Sequence, residues 1–197
     1  MAFCIMAQSF IHRYLLKLKE KLITEPLCML LTGPGGTGKT YVVKALWGVM
    51  AKYGCQHLLQ FLAPTGSTTS LIEGMTIHKG FRIKVKSKGK SNCKLGESEE
   101  DYMMLISVHD QTKLRDEWCF VKVLLIDKIS LLSVQLMCEV DHALHYATEN
   151  HGDWFGGITI TFTSDFFQHP LIGGTPLYNP ISNMPSKLAD SMPRYLG

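Results

Sequence analysis

Between Gly33 and Thr40 the chain reads GPGGTGKT, and this stretch restricts the possible fold more than any other. It fits G-x-x-x-x-G-K-[ST], a pattern that arises by chance in on the order of one chain in a hundred at average glycine usage. Its context removes most of that coincidence. An apolar run, LCMLL, leads into it, and YVVKALWGVMAKYG behind it returns to helical spacing and stops at Gly54, a C-terminal cap. A strand, a glycine-rich turn and a helix in that order wrap backbone N–H groups around phosphate oxygens, and the helix N-terminus adds its positive end. Gly33, Pro34, Gly35, Gly36, Thr37 and Gly38 would form the cradle. Lys39 would bridge the β- and γ-phosphates of a nucleotide such as ATP, and Thr40 would offer its hydroxyl to magnesium. The plain alternative is a glycine-rich turn with a surface lysine.

A second stretch, CFVKVLLIDKISLL (119–132), reads as a buried strand that delivers Asp127 at its carboxyl end, a common way to hold a catalytic metal. In that setting the next residue is often a second acid; here it is Lys128. Two further strands are expected in HLLQFLAP and in ITITFT, which ends at Ser164 and Asp165. Helical spacing predicts a helix over 9–22 (Ile11, Leu15, Leu18, Leu22), another around DQTKLRDEW and a third over LLSVQLMCEVDHALHYA. Strands alternating with helices give an α/β class with a mainly parallel sheet. Residues 1–25 read as a helical lead-in, 26–178 as the domain and 179–197, rich in Pro, Ser and Asn, as an irregular tail. The basic stretch 82–100 reads as a surface excursion carrying Lys84, Lys86, Lys88, Lys90 and Lys94.

Composition excludes several classes. At 197 residues the chain can bury roughly two-thirds or more of its unfolded surface. No apolar run approaches the roughly 20 residues that span a bilayer, so no membrane partner is expected. The N-terminus lacks the pattern of a secretory signal, and a mitochondrial presequence would have Arg13 as its only arginine. Six scattered cysteines without a CxxC pair point to a reducing, intracellular setting. His142 and His145, three apart on a helix without further ligands, are expected at the surface. A net charge of +3 permits a nucleic-acid partner without demanding one.

Four segments in order, LLTGPGGTGKT, LAPTGSTTSLIEGMTIHKGF, VLLIDKISLLS and GGITITFTSDFFQHPLIGGTPLY, resemble successive motifs of the Pif-type superfamily-one DNA helicases, and the chain is similar to the helicases of Helitron transposons. The resemblance covers about 26 to 182. It implies a P-loop NTPase fold with a RecA-like, three-layer motor domain that uses ATP and magnesium to move on single-stranded or unwinding DNA. It also implies a nuclear role in DNA repair, recombination and telomere maintenance. Lys39 and Thr40 match the phosphate lysine and the magnesium hydroxyl, Asp127 the magnesium-organising acid, and Gln168 the glutamine that senses the γ-phosphate. Thr65, Gly66, Thr76 and His78 fall in the segment that borders the DNA strand, and Phe81 suits the same groove. The strand at 158–163 should lie between the phosphate-loop strand and the Asp127 strand, leaving the former as an apolar edge and the chain poorly soluble.

The same resemblance exposes departures. Asp-Glu has become Asp127-Lys128, Gly-Asp is Ser164-Asp165, and Gln-Leu-Pro-Pro is Gln168-His169-Pro170-Leu171. Ala-Ala after APTG-x is Thr68-Thr69, and Gln8 is the candidate for an adenine-reading glutamine. The family's second motor domain, which brings an arginine to the nucleotide, is not within these 197 residues, so the chain is expected to hold the first motor domain alone. Two functions stay open on these grounds: an ATP-dependent helicase, impaired at Lys128, or a non-catalytic nucleotide- or DNA-binding remnant. A P-loop kinase or other small NTPase fits DFFQ and GGTPLY less well.

Overall fold

A computed structural model of the chain describes residues 1–16, 25–66, 74–83, 108–166, 171 and 175–178. Among them five strands form one sheet: β1 (Cys28–Thr32), β2 (Leu59–Ala63), β3 (Met75–Thr76), β4 (Val123–Asp127) and β5 (Thr159–Ser164). Their spatial order is β1-β5-β4-β2-β3, and every pairing is parallel. The last strand in the chain therefore lies inside the sheet, between β1 and β4, as expected. Around the sheet stand α1 (Ala2–Phe10), α2 (Lys39–Lys52), α3 (Ile77–Gly80), α4 (Val108–Trp118) and α5 (Val134–Thr148).

Period-two alternation sorts the strand residues onto two covered faces, which is why β4 reads as a continuous apolar run. Val123 and Leu125 join a core with Met6, Ala7 and Phe10 of α1 and Val43, Leu46 and Met50 of α2. Leu124 and Ile126 join the opposite core with Leu114 and Trp118 of α4 and Met137, Val140 and Leu144 of α5. Each such side chain contributes about 1.5–3 kcal/mol by leaving water. The result is a three-layer α/β domain.

Several local expectations are corrected. The first helix begins at Ala2, and its buried contacts are Met6, Ala7 and Phe10. Ile11–Leu15 continues it as a π-helix with no fully buried residue, while Leu18 and Leu22 lie outside the described residues. Phe3, Met6/Ala7, Phe10 and Tyr14 share the packing face, and the expected Ile11 and Leu15 pack partly buried against the same core. The third predicted helix starts later than its apolar pattern suggests. Ser133 caps α5 by accepting from Leu136 N at 3.2 Å, and Leu131 belongs to a preceding 3-10 turn.

His145 is no surface residue. Its side chain is 14% exposed, with Nε2 2.9 Å from Asp153 O and 3.6 Å from Asp141 Oδ1. Phe81, expected beside DNA, is fully buried and stacks on Trp118 with ring centroids 4.5 Å apart. By contrast Gly54 takes the left-handed φ of 66° just past α2, the conformation a C-terminal glycine supplies.

Candidate nucleotide-binding site

β1 ends at Thr32, and the chain then turns through Gly33–Gly38 into α2. Gly36 and Gly38 have φ of 79° and 86°, and a Cβ built on either would meet nothing within 4 Å. Glycine is needed there for its backbone freedom, and the space above it stays open. Within the loop Thr37 Oγ1 donates to Pro34 O at 2.8 Å. The Lys39 ammonium folds back over the loop and donates to Gly33 O at 2.6 Å and Pro34 O at 2.8 Å. A cation is thus held at the centre of a glycine loop that opens a helix, an arrangement built to meet phosphate. Thr40, in the first turn of α2, is exposed.

Register carries the second half of the site. Thr32 pairs with Ser164, and Asp127 pairs with Thr163. The loop after β1 and the carboxylate ending β4 therefore flank the end of β5 on one edge of the sheet, two strand spacings or about 10 Å apart. Asp127 shares its parity with Val123 and Leu125, so it faces the layer that contains α2. The Thr163 hydroxyl donates to Asp127 Oδ1. Thr40 and Asp127 supply hydroxyl and carboxylate oxygen, hard donors of the kind magnesium takes alongside phosphate oxygens. The donor set fits that ion.

Lys128 adopts the left-handed conformation, φ 59° and ψ 45°, and begins the 3-10 turn Ile129–Leu131. Ser130 N, inside that turn, donates to Ser164 Oγ at 3.0 Å. Asp165 is buried just past β5.

The residues expected near DNA gather elsewhere on the same edge. Thr65 and Gly66 are exposed just past β2. Thr76 ends β3 and caps α3, its side chain accepting from Lys79 N at 3.3 Å. His78 is half-buried in α3, and burial lowers its pKa. These residues stand over β2 and β3, while the nucleotide residues stand over β1, β5 and β4. β1 and β3 are four strand spacings apart, about 19 Å. Gln168, Thr68-Thr69, the lysine-rich stretch from Lys84 and the tail from 179 lie outside the described residues.

The motifs gave no role to two hydroxyls, Thr163 and Ser164, the second noted only as standing where a glycine was expected. No pattern in the sequence announces them, because their partners are set by the β4–β5 register.

Comparisons with known proteins agree with one another. The profile of a family described as PIF1-like helicase matches residues 17–181. The chain is 27% identical over 148 residues to the ATP-dependent DNA helicase RRM3 of Saccharomyces cerevisiae, covering 75% of this chain and 19% of that protein. It is 30% identical over 142 residues to the ATP-dependent DNA helicase PIF1 of Emericella nidulans, covering 71% and 17%. Among solved structures, a Bacteroides Pif1 bound to ssDNA superimposes with a TM-score of 0.52 at 25% identity, over 77% of this chain and 31% of that one. The Pif1 helicase from Candida albicans gives 0.58 at 21% identity, over 95% and 38%, a likeness of fold. The chain thus spans under a fifth of the length of these two sequence relatives and about a third of the solved ones.

Proposed function

The chain belongs to the PIF1-like helicase family, and from that premise we propose that it is a motor domain that binds magnesium-ATP and couples the bound nucleotide to single-stranded or unwinding DNA. The observation that carries this reading is the Lys39 ammonium seated in the Gly33–Gly38 loop, on the same sheet edge as Asp127. In this reading Gly33 to Thr40 hold the triphosphate, and Thr40 and Asp127 hold magnesium, which supplies charge neutralisation between the phosphates. Gln168 senses the γ-phosphate, and Thr65, Gly66, Thr76 and His78 border the DNA strand. Residues 26–178 form the working unit, flanked by 1–25 and 179–197. DNA repair, recombination, telomere maintenance and a nuclear location are the finer part of the proposal and rest on the family alone.

Titration calorimetry with ATP and magnesium tests the nucleotide half. One RecA-like domain touches one side of a nucleotide, so an affinity in the high micromolar range or poorer is expected, about −5 kcal/mol or weaker. Lys39→Ala should abolish it, and an unchanged titration would refute the phosphate-loop assignment.

Lys128 favours a second reading, a module that binds nucleotide without turning it over. An ammonium has no lone pair with which to accept a proton from attacking water. The two readings differ in what restoring an acid at 128 achieves.

A further inference from the structure

Thr163 lies directly opposite Asp127 in the parallel β4–β5 register and is 2% exposed. Its hydroxyl donates to Asp127 Oδ1. An aspartate at a strand end turns broadly about its last torsion. A fixed donor on Oδ1 restrains that freedom and leaves Oδ2 for another ligand. The next residue acts on the other side of Lys128. Ser164, fully buried, accepts from Ser130 N at 3.0 Å, within the turn Ile129–Leu131. The glycine that the motif comparison leads one to expect at 164 has no atom for that bond. The last two residues of β5 therefore fasten the residue before Lys128 and the turn after it.

We propose that Thr163 is a positioning residue for the Asp127 carboxylate, fixing the oxygen that meets the magnesium of a bound nucleotide, and that Ser164 holds the adjoining turn in support. The inference rests on the magnesium-ATP reading given above. Outer partners of metal-holding carboxylates typically change metal affinity about 10- to 100-fold when removed. Because Thr163 touches the carboxylate and not the phosphates, its removal should cost the magnesium-dependent part of ATP affinity and leave the rest.

The 197-residue chain is titrated with ATP in magnesium and again in EDTA, as wild type, Thr163→Val and Thr163→Ser. Valine keeps the shape and drops the hydroxyl; serine keeps the hydroxyl. The expected result is a gain in affinity on adding magnesium for wild type and Thr163→Ser, and an approximately 10-fold smaller gain for Thr163→Val, with all three equal in EDTA. Replacing magnesium by Mn2+ and reading its electron paramagnetic resonance in the presence of ATP gives a second, direct measure of the ion. A magnesium gain in Thr163→Val equal to wild type overturns the role of Thr163 alone. Equal losses with and without magnesium also overturn it, since they show a packing defect. A wild-type chain that binds ATP in neither condition overturns the nucleotide reading, and this role with it.

Discussion

A left-handed backbone at a residue with a Cβ is uncommon, and Lys128 adopts one beside the carboxylate of the site. Its position was legible from the motif, since a strand ending in Asp127 fixes where the next residue must stand. Its conformation was not, because φ at 128 is set by the turn that Ser164 holds. If the family's acid at this position serves as the general base, its loss typically costs about 10² to 10⁴ in rate, and a lysine also changes the charge by two units beside the proposed phosphate site. Replacing the matching segment of the yeast RRM3 with residues 26–178 puts this to the test. DNA-stimulated ATP hydrolysis is expected in that chimera only with Lys128→Glu. Equal activity with lysine retained would show that this position does not silence the site.

His78 allows a different experiment at the same scale. Burial lowers its pKa, so the unfolded chain takes up the proton more readily than the folded one. Stability should therefore be complete above the unfolded value of about 6.5 and be lost as pH falls through it toward the folded value. Melting curves between pH 7.5 and 5 should show that loss, and His78→Gln should flatten it. An identical slope in the variant would assign the effect to other groups.

At the scale of elements, β5 carries three threonines of one parity, Thr159, Thr161 and Thr163, and the last two have opposite prospects. Thr163 has its partner in Asp127, whereas Thr161, 1% exposed, has a hydroxyl with no partner among the described residues. Thr161→Val removes a buried polar atom while nearly keeping its volume, and should stabilise the fold by about 1 kcal/mol. For a domain this size that is a rise of about 2–4 °C in melting temperature, measurable by calorimetry. A fall would mean that the hydroxyl has a partner. Nothing in ITITFT distinguishes these two positions, since alternation gives the face and only the neighbouring strand gives the function.

The short helix α3 makes a similar point. TIHKGF lies in a segment that the family resemblance assigns to the DNA border, yet its phenylalanine is spent on the core. Trp118 Nε1 donates to Gly80 O at 3.0 Å, and the two aromatic rings stack beneath α3. A motif read along the chain could not separate the partly exposed Thr76 and His78 from the buried Phe81, because helix α3 is only four residues long.

Over the whole molecule, the strand order separates two proposed tasks along one end of the sheet, the proposed nucleotide site over β1, β5 and β4, and the proposed DNA border over β2 and β3. The class of fold and the glycine turn between β1 and α2 were readable because each rests on local spacing. Among the described residues β1 stands at the edge of the sheet, as the family resemblance implied, and that position has a physical cost. Leu30 is 47% exposed, Cys28 is also exposed, and no charged residue interrupts Cys28–Thr32. Such a strand invites pairing with another chain. Leu30→Lys should lower self-association in sedimentation runs and leave ATP binding intact. A monodisperse wild-type chain would show that the edge is already covered.

The placement of β5 also has a consequence in time. β1, which anchors the phosphate loop, has its described partner only in β5, and residues 33 to 158 separate the two. Pairings so distant along the chain form slowly, since a long loop must close before any contact rewards it. During synthesis, then, GPGGTGKT emerges before Thr159–Ser164, the one strand among the described residues that pairs with β1. The strand that anchors the phosphate loop waits for the last of the described strands to be made.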